Sequence, residues 1–253
     1  MEISIIAEKL FSIGGFSVTN SLFVAVIVAV SLAAVAIFLS RNPKEIPRGA
    51  QNVIETVFEG LLSFIESITQ DRKQARDFFP LVATIFLFVL FSNWSGLLPG
   101  AGTVGLNEVT AGHVTMVPFL RGPAADLNMT VALSLIAVIS VQVFGILALG
   151  IRGYASKFLV APWKKPYGIG TVVGLLELIG EFAKILSFSF RLFGNVFAGE
   201  VLLTVMLTLV PYLIPLPFLL LEVFVGVVQA AVFSLLTIVF LKMAVTGHEE
   251  GAH

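Results

Sequence analysis

Polar residues are sparse along most of this chain. Five long apolar stretches dominate its pattern, at about 20–40, 78–98, 127–150, 168–210 and 216–243. Each reaches the ~20 residues a helix needs to cross a bilayer. In lipid every backbone N–H and C=O must find an internal partner, so all five are expected as helices. A sixth pattern differs. After Pro47, the residues Val53, Ile54, Val57, Phe58, Leu61, Leu62, Ile65 and Ile68 recur at helical spacing, with Glu55, Glu59 and Glu66 on the other side. This predicts an amphipathic helix over about 49–70, lying along the membrane surface. Its acidic polar face argues for packing on protein rather than attraction to anionic lipid. The expected fold class is an all-α integral membrane protein, with about five membrane helices plus one interfacial amphipathic helix. With no internal repeat and no long polar linker, residues 1–253 read as a single polytopic domain.

The fourth stretch is too long to stand upright. No proline interrupts it from Thr171 to Val210. A helix of that length spans roughly 60 Å, about twice the ~30 Å hydrocarbon core. It must either tilt far beyond the usual ~20° or break in the middle, where only Gly194-Asn195 and scattered glycines offer a turn. The fifth stretch is also long, and PYLIPLP (211–217) joins the two. A steeply tilted hairpin is the expectation.

Composition agrees with the pattern. Of 253 residues, 57% are hydrophobic and only 12% charged, against about 25% charged in soluble domains. A net charge of -1 gives no basis for nucleic-acid binding, and without cysteine there are no disulfides or thiolate metal sites. No cofactor is expected. The opening MEISIIAEKLFSIGG has no basic n-region, so no cleavable signal is expected. Charge asymmetry orients the bundle. The first and third connections hold Arg41, Lys44, Arg48, Arg72, Lys73, Arg76, Arg152, Lys157, Lys164 and Lys165; the second holds Arg121 and the fourth has none. The N-terminus is therefore expected outside and the C-terminus inside. Trp94 and Trp163 fall at segment ends, where interfacial rings belong.

The last hairpin carries Glu177, Glu181, Lys184, Arg191, Glu200 and Glu222. Each ionised group at mid-membrane costs at least ~2.5–3.5 kcal/mol, so most must face protein, water or each other. On a helical wheel Glu177, Lys184, Arg191 and Asn195 lie close together, while Glu200 points nearly opposite to Arg191. Glu222 and Gln229 share a face of the partner helix. Carboxylates in a wet cavity can take up and release protons. Arginine does not deprotonate in proteins. Carboxylates on both sides of Arg191 thus describe two proton half-pathways separated by a group that relays none.

These residues carry a resemblance. FRLFGNVFAGE (190–200), with EVFVGVVQAAVFSLLTIVFL (222–241) and PAADLNMT (123–130), resembles subunit a of the F-type ATP synthase. The resemblance implies a non-catalytic stator subunit that conducts protons through two offset half-channels and drives rotation of a c-subunit ring. It implies that Arg191 faces the ring, attracts each passing carboxylate and blocks direct leak, with Asn195 and Gln229 as hydrogen-bonding supports. Glu200 and Glu222 match the outer half-channel pair, although many bacterial members have histidine at the second position. Glu177 and Lys184 match the mouth of the inner half-channel. Asp126 and Asn128 match residues lining the outer entrance. The implied partners are the c-ring, b-type peripheral stalk subunits and the rest of the complex, in a bacterial cytoplasmic membrane.

Plainer readings stand beside these. Glu177, Glu181 and Lys184 also suit snorkelling at the inner interface, and Asp126 and Asn128 suit helix capping. His113, His248 and His253 are too far apart in sequence to suggest a site. Gly194 and Gly199 suit close helix approach. A self-contained secondary transporter is the alternative function, but it predicts repeats and paired broken helices that this sequence lacks. There is no GxxxxGK[ST] loop for a nucleotide.

Overall fold

A computed structural model describes residues 7–41, 49–98, 104–110, 113–158, 169–210 and 213–246. Six helices carry the architecture: α1 (Asn20–Arg41), α2 (Ala50–Thr69), α3 (Arg72–Ser95), α4 (Leu127–Phe158), α5 (Ile169–Leu209) and α6 (Pro215–Val245). All but α2 are long and apolar enough to cross a membrane. The amphipathic α2 is the predicted sixth helix. It ends at Gln70, whose left-handed backbone (φ 58°) turns the chain directly into α3. Asp71 caps α3 by accepting a 2.8 Å hydrogen bond from the Lys73 amide. That cap starts the helix at Arg72, before the expected Phe78, and an exposed first turn is what its charged residues require.

Two antiparallel hairpins accompany the helices. β1 (Lys9–Ile13) pairs with β2 (Phe16–Thr19), and β3 (Gly105–Thr110) pairs with β4 (His113–Pro118). Gly14 and Gly15 both have positive φ, 57° and 88°, the geometry a two-residue turn between twisted strands requires. The helical reading of the sequence passed over both hairpins.

α6 runs through the centre. Its Ile238 and Leu241 join Ile65 of α2, Phe78 and Val82 of α3 and Val141 of α4 in one core cluster. Farther along, Ala230 and Phe233 meet Ile85 and Val89 of α3, Ala137 of α4, and Phe188 and Leu192 of α5. One end of the bundle gathers β1–β2, β3–β4 and the start of α4. There Asn20 donates to the Pro118 carbonyl (3.2 Å) and Ser21 to Asp126 (2.7 Å). At the other end Lys242 donates to the Ile68 carbonyl at 2.8 Å, tying α6 to α2.

α5 is one continuous helix of 41 residues. The possible break at Gly194 does not occur, and nothing approaches that glycine. Only 11% of the apolar window of α5 is buried, against 39% for α3. α5 therefore packs by one edge and leaves a long face open.

Candidate functional site

The α5–α6 register places the charges. Phe188 meets Phe233 edge-on with ring centroids 4.6 Å apart, and Gly199 meets the carboxyl of Glu222. The same antiparallel register sets Gln229 level with Leu192, beside Arg191. Leu192 is buried in the core, while Arg191, about 100° around the helix, is exposed on the open face of α5. Its Nη2 donates to Ser187 Oγ at 2.9 Å. No carboxylate pairs with it among the described residues. Asn195, one turn on, is exposed on the same side; Gln229 is half-buried, and neither amide has a hydrogen-bond partner among the described residues.

Toward the hairpin end, Glu200 faces inward, opposite to Arg191 as the wheel predicts. Its Oε1 lies 3.8 Å from Nε of Arg121, a buried arginine in the connection before α4. Glu8 is within electrostatic reach of the same carboxylate. Oε2 of Glu200 is buried without a hydrogen-bond partner among the described residues. Glu222 is half-buried on α6 at the level of Gly199, so both carboxylates occupy one end of the hairpin with no hydrogen bond linking them. Trp94 and Asn93 of α3 brace this part of α6, donating to the carbonyls of Val223 (3.2 Å) and Gly226 (3.1 Å). Nearby, Ser92, Thr130 and Leu192 border a small cavity between α3, α4 and α5.

Asp126 does the ordinary work of a cap. One carboxylate oxygen accepts from the Asn128 amide (2.9 Å) and the other from Ser21 (2.7 Å), which joins the start of α4 to the start of α1. Asn128 supplies that amide, and its exposed side chain faces away from the core. His113 begins β4; His248 and His253 lie outside the described residues.

At the opposite end of α5, Glu181 and Lys184 pair at 2.6 Å. Lys184 lies 4.5 Å over the Phe240 ring, and Gln142 of α4 donates to Glu181 at 2.7 Å. Glu181 and Lys184 are therefore both held by neighbours. Glu177 is half-buried beside them. Arg121, Ser187, Gln142 and Tyr154 entered no site reading from the sequence. Arg121 gave the one usable signal, as the sole basic residue of its connection.

Residues 21–242 match the family model described as ATP synthase A chain. The chain belongs to that family. An ATP synthase subunit a from Moorella thermoacetica is 35% identical over 241 residues, covering 95% of this chain and 97% of that protein. Another, from Gloeobacter violaceus, is 38% identical over 211 residues, covering 83% and 77%. Arg191, Asn195, Glu200, Glu222, Gln229, Glu177, Lys184, Asp126 and Asn128 all lie within the range matched to the A chain family. The five apolar helices and the family together make this a multi-pass membrane protein.

Proposed function

We propose that this chain is the proton-translocating stator subunit of an F-type ATP synthase, non-catalytic itself, working against a ring of c subunits. The observation that carries the reading is Arg191: a permanent charge in mid-helix, on the open face of an apolar helix, bonded among the described residues only to a serine. Left against lipid, such a group costs at least ~2.5–3.5 kcal/mol. A partner helix bearing a carboxylate converts that cost into attraction. Each ring carboxylate that reaches Arg191 is held ionised there, having lost its proton on one side and awaiting another from the opposite side.

The two ends of α5 supply the two routes. Glu200 and Glu222, with Asp126 and Asn128 nearby, form the outer half-path; Glu177 and Lys184 mark the inner one. Asn195 and Gln229 flank the arginine as hydrogen-bonding supports. Arg191 separates the routes because it does not give up its proton. An α5 of 41 residues fits this role by lying steeply tilted with α6, its open face along the ring. The hairpin end faces outside, so the N-terminus is out and the C-terminus in, in a bacterial cytoplasmic membrane. The c-ring and b-type stalk subunits are the partners in the membrane.

Passive proton conductance and ATP-driven pumping of vesicles bearing the membrane complex test this, parent against Arg191→Ala. Pumping is expected to vanish while passive conductance persists or rises. Pumping that survives with normal coupling would make Arg191 structural and sink the reading.

A further inference from the structure

The inner end of the bundle holds a hydrogen-bonded chain that goes beyond the stator reading while resting on it. α4 does not run straight. At Gly150 the backbone takes φ 74° and ψ 159°, a conformation open at low cost only to glycine. Beyond that kink Tyr154 is buried, its ring against Gly145, where a Cβ would overlap it. The Tyr154 hydroxyl donates to Gln142 Oε1. Gln142 Nε2 donates to Glu181 Oε2 at 2.7 Å, and Lys184 Nζ donates to Glu181 Oε1 at 2.6 Å. Both oxygens of Glu181 therefore have fixed donors. Glu177, one turn earlier on α5, has no hydrogen-bond partner among the described residues, yet lies within electrostatic reach of Tyr154.

The two carboxylates are thus prepared for different work. Protonating Glu181 would give up a charge-assisted bond to Lys184, and a glutamine amide does not pass a proton onward. We infer that Gln142 and Tyr154 are positioning residues that hold Glu181 as the stationary counter-ion of Lys184, set apart from Glu177, which the stator reading already places on the inner half-path. Among the described residues, the charged and titratable groups around the cluster are Glu177, Glu181 and Lys184 on α5 and Tyr154 on α4. α6 contributes the Phe240 ring under Lys184 and, near its end, Lys242, which is bonded to Ile68. Arg152 of α4 is exposed.

The test is ATP-driven proton uptake by vesicles bearing the whole complex, followed against pH, with c-ring retention measured in parallel. Tyr154→Phe keeps the ring beside Gly145 and removes only the hydroxyl. It is expected to slow uptake roughly fivefold, the scale of one lost hydrogen bond, and to displace the pH profile with the ring retained. Glu181→Gln is expected to be impaired and partly rescued by adding Lys184→Gln, whereas Glu177→Gln is not rescued by that change. A parental rate and profile in Tyr154→Phe overturns the inference. So does a rate that falls only with ring retention, or a rescue that fails. Arg191→Ala, run alongside, separates the two levels. If it still pumps, the stator reading fails; if it does not and Tyr154→Phe behaves as the parent, only the positioning role fails.

Discussion

Gly199 of α5 stands directly against the carboxyl group of Glu222 on α6, with no room for a side chain between them. The glycine brings α6 close at the level where Glu200 also sits. Gly199→Ala must therefore displace the Glu222 carboxyl or part the hairpin. Misplacement of a reacting group by about 1 Å can cost up to ~100-fold in rate. ATP-driven pumping is expected to fall at least roughly tenfold while the complex still assembles. Gly194→Ala, where nothing in this chain approaches the added methyl, is expected to leave the packing of α5 on its neighbours within the chain unchanged.

Arg121 is buried, and the Glu200 carboxylate lies 3.8 Å from its Nε. Removing one member of a fully buried pair costs about 3–5 kcal/mol. The Glu200 side chain is 38% exposed, so the loss for Arg121→Gln should be nearer 1–2 kcal/mol. Arg121→Lys keeps the charge without the planar fork and should fall between. Thermal unfolding of the purified complex and pumping by reconstituted vesicles measure the two consequences. Unchanged stability and unchanged pumping in Arg121→Gln would show that the pair is incidental.

Asp126 joins two helix starts, and its two jobs can be separated. Asp126→Ala removes the cap on α4 and the acceptor for Ser21, and should destabilise by about 1–2 kcal/mol. Asp126→Asn keeps a capping oxygen and removes the charge. If Asp126→Asn pumps like the parent and Asp126→Ala is only less stable, capping is the whole role. If Asp126→Asn loses pumping while keeping stability, the charge serves the outer half-path.

The kink in α4 depends on Gly150. Any side chain there meets a backbone conformation that costs about 1–3 kcal/mol to maintain. Gly150→Ala is expected to straighten or strain the end of α4, withdrawing Tyr154 from Gln142. Proteolysis of the α4–α5 connection should quicken, and pumping should decline with the pH profile displaced as for Tyr154→Phe. Parental protease sensitivity together with a parental pH profile would show that the kink carries no functional geometry.

The six helices were legible in the sequence because lipid and water impose opposite demands on each face, and those demands leave a periodic trace in residue order. Length alone showed that α5 is too long to stand upright. The near-opposite placement of Arg191 and Glu200 followed from the helical repeat. Other features left no such trace. Whether α5 breaks at Gly194 depends on whether a continuous helix can be accommodated by its neighbours, which is a tertiary matter. The hairpins at 9–19 and 105–118 are short, and the Gly14-Gly15 pair signalled the first only locally. The pairing of Arg121 with Glu200, and the path from Tyr154 through Gln142 to Glu181, join segments far apart in the chain or turned back on themselves. Such pairings depend on where helices stop, kink and approach. Local residue order determined which side chains were charged and which face each occupied; only the packed bundle decided their partners, because an ion pair is a relation in space that no periodicity records.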